Sequence, residues 1–458
     1  MLFSSLIFLF LFLPITAAGY FLLPIRFRNF FLLAASLLFY GWGEPAFLPV
    51  LIVSIIWNYC WGIVLGKSRS GKLPLIIGIA GNLLLLFYFK YLNFSLSLLS
   101  PLLEYYGCGS WNFGQIILPI GISFFTFQSI SYLVDVYRDR SKSRKSFIDI
   151  ALYISLFPQL IAGPIVRYST ISAELDHREI SVDLCAEGCQ RFIYGLGAKI
   201  LLANPAGWVA DTVFSRSPEQ LSAPLAWLGV LAYTLQIYYD FSGYSSMAIG
   251  LGKIFGFHFP ENFNYPYAAD SISDFWRRWH ISLSAWFRDY VYIPLGGSRV
   301  SGRRTALNLM TVFFLTGIWH GANWTFLVWG LWHGILLIVE KFLFCNRLPG
   351  WLMRVWTLFV VIHGWVFFRS DSLDSAWKYF KTMYDGRVIF KDVTMTELIN
   401  IRLILVFGAG LLLALPWRRT DCIAKNNVFS LILSVFVLIF CIIVLARGYY
   451  NPFLYFRF

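Results

Sequence analysis

Apolar residues in this 458-residue chain fall in long runs, with polar positions between the runs more often than inside them. A helix needs about 20 mostly apolar residues to cross a bilayer. About a dozen stretches approach that length: near 1–24, 29–43, 46–66, 73–89, 116–136, 147–166, 186–206, 224–250, 305–340, 351–368, 401–416 and 428–446. The stretch 305–340 has room for one very long or two shorter helices. The pattern predicts an all-α, polytopic membrane protein with about 11–12 transmembrane helices.

Polar residues divide the chain into three zones. Residues 1–115 are almost purely apolar, and 346–458 return to simple spans around one polar stretch at 370–400. Between them, 116–345 carries Gln128, Asp135, Gln159, Lys199, Asn204, Gln236, Asp240, His280 and His320 in or near its apolar runs. Such groups are costly in hydrocarbon and gather where helices face one another or a water-filled cavity. Some serve only as interhelical glue. With no repeat or long linker, 1–458 reads as a single domain whose catalytic part is 116–345.

Prolines and glycines also concentrate in the middle zone: Leu118-Pro119-Ile120-Gly121, Phe157-Pro158-Gln159, Ala162-Gly163-Pro164 and Ile293-Pro294-Leu295-Gly296-Gly297. Breaks at membrane depth are tolerated where the freed backbone groups are buried in protein or line a cavity. Gly250, Gly252 and Gly256 imitate a phosphate loop but lack its spacing and preceding strand, so helix packing accounts for them better. In 270–293, Trp276, Trp279, Leu283, Trp286, Phe287 and Tyr290 recur at three- and four-residue steps. That stripe, with Arg277 and Arg288 beside it, predicts an amphipathic helix lying parallel to the membrane. Asp270, Ser271 and Ser273 are its candidate N-caps.

Composition agrees: 58% of residues are hydrophobic and 13% charged, against about 25% charged in soluble domains. The net charge of +13 raises nucleic acid as a partner, but the cations are dispersed through short loops. They are Arg26 and Arg28; Lys67, Arg69 and Lys72; Arg138, Arg140, Lys142, Arg144 and Lys145; Arg299, Arg303 and Arg304; Arg418, Arg419 and Lys425. The first three groups follow every second span, as the positive-inside rule requires of cytoplasmic loops. This puts the N-terminus outside, 417–427 inside and Tyr449 to Phe458 outward, and it excludes nucleic acid. The first run has no basic residues ahead of it and reads as a retained helix rather than a signal peptide. Cysteines 60, 108, 185, 189, 345, 422 and 441 are scattered and odd in number, which argues against a disulfide framework. Cys185 and Cys189 lack partners for a zinc site and read as packing residues, so no metal is expected.

Two histidines carry the candidate chemistry. His320 lies in Thr316-Gly317-Ile318-Trp319-His320-Gly321-Ala322-Asn323-Trp324, and His280, 40 residues earlier, lies among Trp276, Arg277, Arg278 and Trp279. An imidazole at membrane depth is a functional-site hypothesis, and it trades a proton near neutral pH. Together they suggest acid–base chemistry inside a membrane. His333, 13 residues after His320, would sit about 220° away around an unbroken helix and is expected to be structural. His363 is expected to be hydrogen-bonded in a helix interface. His177 and His258, in loops, carry no signal.

The residues from Asp274 through Gly297, then Gly317-Ile318-Trp319-His320-Gly321-Ala322 and Trp329-Gly330-Leu331-Trp332-His333-Gly334, resemble the membrane-bound O-acyltransferase superfamily. The likeness is to its bacterial branch of alginate-type O-acetylation subunits. Asn262-Phe263-Asn264-Tyr265-Pro266-Tyr267, the opening Met1 to Ser5 and the closing Asn451 to Phe458 match that branch as well. The resemblance implies helices ringed around a central funnel or tunnel, with His320 as the family's near-universal histidine and His280 as its second. It implies an acyl donor on the cytoplasmic side, such as acetyl-CoA, used as substrate with no tightly bound cofactor. Outside, it implies a polysaccharide acceptor, reached directly or through an extracytoplasmic acetyltransferase or esterase-like partner protein, since this chain has no such module.

On that reading His320 is the general base, and Trp319, Asn323 and Trp324 orient groups or donate to the oxyanion. Trp276 and Trp279 flank His280, which hydrogen-bonds the donor or the second oxygen. The expected activity is O-acetylation of an exported, alginate-like polysaccharide at the inner membrane of a bacterium. Peptidoglycan O-acetylation and teichoic-acid D-alanyl transfer are alternatives within the class. A proton-coupled exporter is the alternative outside it, since broken helices and histidine relays also suit transporters.

Overall fold

The computed structural model describes residues 1–68, 72–106, 114–344, 349–386, 398–416, 428–448 and 450–454. Arg69, Cys108, Cys345, Arg418, Arg419, Cys422, Lys425, Tyr449 and the last four residues lie outside the described residues. Among those described, regular structure is helical, with one isolated antiparallel bridge between Phe263 and Trp279. The chain forms two compact units, Met1–Cys185 with Leu251–Pro260, and Ala186–Gly250 with Glu261–Phe458.

The first unit contains α1 (Phe8–Leu22), α2 (Ile25–Gly43), α3 (Leu48–Lys67), α4 (Lys72–Leu102), α5 (Ile122–Arg138) and α6 (Phe147–Ser155). Inside hydrocarbon the hydrophobic effect offers nothing for helix association, so close packing and hydrogen bonds hold the spans together. Asn58 of α3 and Asn82 of α4 exchange amide hydrogen bonds of 3.0 and 2.8 Å. Gly62 and Gly78 leave room for Tyr132 and Leu133 of α5. Gly121 starts α5 from the left-handed region at φ 79°, where an added Cβ would also meet the Leu160 carbonyl. The expected span at 147–166 is broken. α6 stops after nine residues, ahead of Pro158, and the chain from Ile150 to Val166 stays buried. Side chains take up the freed backbone groups: Ser36 Oγ accepts from Phe157 N at 3.1 Å and Gln159 Nε2 donates to Tyr153 O at 2.6 Å.

The second unit begins with α7 (Val182–Gly197), of which residues from 186 belong here, followed by α8 (Asn204–Phe214) and α9 (Ala223–Ile254), which contributes its residues to 250. Gly188 and Gly195 of α7 meet Gly250 and Gly243 of α9 so closely that a Cβ on Gly243 or Gly250 would strike the facing carbonyl. Of the run Gly250, Gly252 and Gly256, Gly250 makes the expected helix packing, whereas Gly256 takes φ 80° beyond the end of α9. Then come α10 (Ile272–Arg278), α11 (Ile281–Phe287), α12 (Gly302–His320), α13 (Trp324–Val339), α14 (Gly350–Arg369), α15 (Leu373–Tyr384), α16 (Ile401–Leu413) and α17 (Val428–Ala446). The 305–340 stretch is two helices, turned by Gly321-Ala322-Asn323.

Among the described residues, five helices are long and apolar enough to cross a membrane: Pro45–Lys67, Lys72–Leu102, Trp324–Leu343, Gly350–Arg369 and Val428–Ala446. The protein is thus an all-α, multi-pass membrane protein. Other stretches of the dozen form shorter apolar helices, such as Phe8–Leu22 and Leu403–Leu413, or helices that carry the middle zone's polar residues.

A buried ion pair anchors the end of the chain in this second unit. Lys199 Nζ lies 2.5 Å from Asp240 Oδ1, both side chains being almost wholly enclosed. Asp240 Oδ2 accepts from Leu454 N at 2.9 Å, and Lys199 donates to the Pro452 carbonyl. Residues 452–454 are thereby fixed against α9.

Candidate active site

The region 270–293 differs from the single amphipathic helix its periodicity predicts. Ser271 is the cap that forms, accepting from Asp274 N at 3.0 Å, but α10 ends at Arg278 and α11 begins at Ile281. Between them His280 takes φ 44° and ψ 54°, a left-handed conformation uncommon for a residue with a side chain. The cause is a competing partner. Extended residues 262–264 run antiparallel to 278–281, with Asn264 N donating to Arg278 O and Ile281 N to Asn262 O, both at 2.9 Å. These bonds replace the helical ones across the break. The aromatic stripe also faces protein rather than lipid: Trp276, Trp279 and Trp286 are all buried. Arg277 and Arg288 are exposed and line one cavity of about 280 Å³ with Lys341.

The break turns the His280 ring inward. It packs against Phe241 of α9 with centroids 4.6 Å apart, and against Trp319 of α12 at 5.9 Å. The same Trp319 indole lies 4.9 Å from the His320 ring. Tertiary folding therefore brings both predicted histidines onto one tryptophan. His320, the last residue of α12, is held by Trp329 at 4.9 Å and Phe368 at 5.0 Å. It lines a cavity of about 10 Å³ together with Trp279, Trp329, Trp365, Phe368 and Leu454, space for about one water-sized group. Phe368 and Leu454 also line a larger cavity of about 460 Å³, whose rim carries Asn323, Arg369, Ser370 and Asp371.

α12 reaches this position because its crossing with α13 is made of small residues. A Cβ on Gly330 would overlap the Phe313 carbonyl oxygen, and one on Gly317 would lie 2.6 Å from that of Phe326. Close approach of backbones at such stripes is a common membrane packing mode.

Burial disfavours a charged imidazole and holds His280 down to about 3, so its ring is neutral. Its Nδ1 lies 3.0 Å from Asn262 Oδ1. Its Nε2 has no hydrogen-bond partner among the described residues.

The remaining predicted residues divide. Trp319 and Trp279 line the site, while Trp276 stands behind it, 5.7 Å from Trp329 and 5.0 Å from His333. Asn323 caps α13 through Thr325 N at 3.1 Å and donates to Asp371 O at 3.0 Å, on the rim of the larger cavity. Trp324 is 47% exposed. The helix breaks between His320 and His333, so the separation of about 220° on an unbroken helix does not apply. The His333 ring contacts Trp329 at 5.2 Å on the indole that also touches His320, and Gly364 leaves space for it. His363 is hydrogen-bonded on both nitrogens, to Phe359 O at 2.7 Å and the Tyr384 hydroxyl at 2.5 Å, as expected of an interface residue. His258 pairs with Glu174 at 2.8 Å in the first unit.

Sequence reasoning missed Asn262, Phe241, Trp329, Trp365, Phe368 and Leu454. Asn262 had a signal, a polar residue in the Asn-Phe-Asn-Tyr-Pro-Tyr motif. Trp329 stands in the Trp-Gly-Leu-Trp-His-Gly motif and Leu454 in the closing Asn451 to Phe458 segment. Phe241, Trp365 and Phe368 had no signal, since they resemble any other apolar residue of a span.

The profile of the MBOAT, membrane-bound O-acyltransferase family matches residues 138–369. The chain is 44% identical over 421 residues to the "Probable alginate O-acetylase AlgI" of Azotobacter vinelandii, covering 90% of this chain and 83% of that protein. It is also 44% identical over 391 residues to the protein of the same name from Pseudomonas aeruginosa, covering 84% and 75%. With the "Peptidoglycan O-acetyltransferase" of Helicobacter pylori it shares 38% identity over 432 residues, covering 84% and 80%.

Proposed function

The chain belongs to the membrane-bound O-acyltransferase family, and from that premise we propose that it transfers acetyl groups to an exported, alginate-like polysaccharide. The donor on this reading is a cytoplasmic thioester such as acetyl-CoA. Two relatives named as alginate O-acetylases support the polymer. Membership makes the chain an O-acyltransferase, which removes the exporter alternative.

The observation that carries the mechanism is the pair of imidazoles on Trp319, one of them lining a small enclosed cavity. His320 acts as general base. It takes the proton of an acceptor hydroxyl as the oxygen attacks the thioester carbonyl. The carbon–sulfur bond then breaks, and the imidazolium returns its proton to the departing thiolate. A positioned base of this kind contributes about 10²–10⁴-fold. The surrounding indoles keep the site dry, which strengthens each polar contact in it. Trp319 and Trp279 orient the reacting groups, with Trp276 behind them; Asn323 acts at the rim, and Trp324 as an exposed flank.

Orientation follows from charge. The turn carrying Arg299 and the first turn of α12, with Arg303 and Arg304, are cytoplasmic on this reading. α12, 19 residues long, is about 28 Å from end to end and ends on His320. The larger cavity beside His320 then receives the acceptor, or an extracytoplasmic partner protein that relays the acetyl group. The N-terminus lies outside, the membrane is the bacterial inner membrane, and residues 1–458 act as one acyltransferase domain. A Ser141→Cys chain labelled by an impermeant thiol reagent on intact cells would overturn this orientation.

Acetyl-ester analysis of envelope polymers from cells carrying His320→Ala tests the mechanism. Ester levels should collapse, and unchanged levels with the protein present would refute the catalytic role. Loss confined to peptidoglycan would instead favour the second acceptor, to which the Helicobacter pylori relative points.

A further inference from the structure

Asn262 is buried, and its side-chain oxygen receives three groups at once. Ser282 N lies 3.2 Å away, Ser282 Oγ 2.8 Å and His280 Nδ1 3.0 Å. One of the three is a backbone N–H, which can only donate. The atom facing it must therefore be the amide oxygen, and Asn262 Nδ2 points the other way, to Ser245 Oγ at 3.0 Å. With the amide orientation set, the imidazole has no choice either. An oxygen cannot donate, so His280 Nδ1 carries the proton, and in a neutral ring Nε2 then carries a lone pair.

We propose that Asn262 is a positioning residue that locks His280 in the Nδ1–H tautomer, so that Nε2 serves the acyl transfer as a hydrogen-bond acceptor for a substrate O–H or N–H. The inference rests on the acyltransferase reading and divides the labour between the two histidines. In this tautomer His280 cannot donate to the thioester carbonyl or its oxyanion. It holds a donor group instead: the acceptor hydroxyl presented to His320, or an amide N–H of the acyl donor. The same motif sets the ring's direction, because Asn262 O also takes the Ile281 N–H and fixes the left-handed turn at His280.

The ionisable groups on the elements packed around His280 are these. α9, to Gly250, brings Tyr233, Tyr238, Tyr239, Tyr244 and Asp240, the last paired with Lys199. α10 brings Arg277 and Arg278, the latter paired with Asp274 at 2.7 Å. α11 brings none, and α12 brings Arg303 and Arg304 in its first turn and His320 at its end.

The test is acetyl transfer from radiolabelled acetyl-CoA in membranes holding the full chain and its native partners, normalised to folded protein. Asn262→Ala frees the tautomer and should lower kcat about 10–100-fold, the order seen when a partner that orients a metal-ligating histidine is removed, with KM for acetyl-CoA unchanged. Asn262→Asp keeps an acceptor oxygen and should retain activity at high pH. Its negative charge favours imidazolium, so the acid limb of its pH–rate profile should move upward. Below that limb Nε2 is protonated and can no longer accept. If both variants leave kcat per folded chain and the pH profile as in the parent, Asn262 is merely structural and the proposal is wrong. His320→Ala is the control for the underlying reading: full activity there sinks the acyl-transfer mechanism, whereas its loss beside a fully active Asn262→Ala sinks only this inference.

Discussion

Two buried asparagine sites show how the same amide serves different ends. In the first unit Asn58 and Asn82 satisfy each other, and each also donates to a carbonyl one turn back in its own helix. Both donors and the facing oxygens are used, and the result is a joint between α3 and α4. In the second unit Asn262 is equally buried and equally bonded, but what it holds is an imidazole whose far nitrogen makes no hydrogen bond among the described residues. A closed pair buys rigidity. A pair that fixes one nitrogen of a ring and leaves the other buried without a hydrogen bond among the described residues calls for an explanation, and on our proposal that explanation is chemistry.

The sharpest test of that contrast is His320→Ala, expected to lower acetyl-ester formation about 10²–10⁴-fold, by ester analysis, with unchanged expression. Next is the ion pair behind Leu454. Lys199→Met leaves Asp240 buried without its cation, which costs about 3–5 kcal/mol, and thermal unfolding in detergent should show a large drop in Tm. The double variant Lys199→Met with Asp240→Leu should recover much of that loss, since a well-packed apolar pair avoids the desolvation penalty. A single variant as stable as the parent would contradict a structural role for the pair. The Asn262 variants fall below these, in kcat and pH profile rather than in stability. The smallest effect belongs to the closed amide pair. Asn58→Ala should cost about 0.6–1.7 kcal/mol, the range for interhelical hydrogen bonds in membranes, with acetyl transfer per folded chain unchanged. If Asn58→Ala abolished transfer while remaining folded, the division between joint and site would be lost.

Legibility in the sequence tracked how local each signal is. The helices of 46–66, 73–89 and 351–368 were plain, because an apolar run of that length has few alternatives in a bilayer. The length of 305–340 allows one helix or two, and the structure makes the turn at Gly321-Ala322-Asn323. The continuous helix over 270–293 was not what forms: its periodicity is genuine, but residues 262–264 compete for the backbone at Trp279 to Ile281. Nor was 147–166 a span, as Pro158 and Pro164 break it and side-chain hydrogen bonds make the break tolerable. For His333 the separation of about 220° holds only on an unbroken helix, and Gly321 ends that helix; the buried ring packs on Trp276 and Trp329, in keeping with a structural place.

What the sequence by itself determined was a membrane-embedded helical protein with a polar middle zone and two costly histidines. Those conclusions rest on hydrophobicity and spacing, which are properties of short windows. Only the tertiary structure decided that His280 and His320 share Trp319, that Leu454 and Phe368 border both cavities, and that Asn262 sets the proton on His280. Each of these joins residues far apart in the chain, and their partners are ordinary apolar or amide side chains that carry no mark until the helices pack.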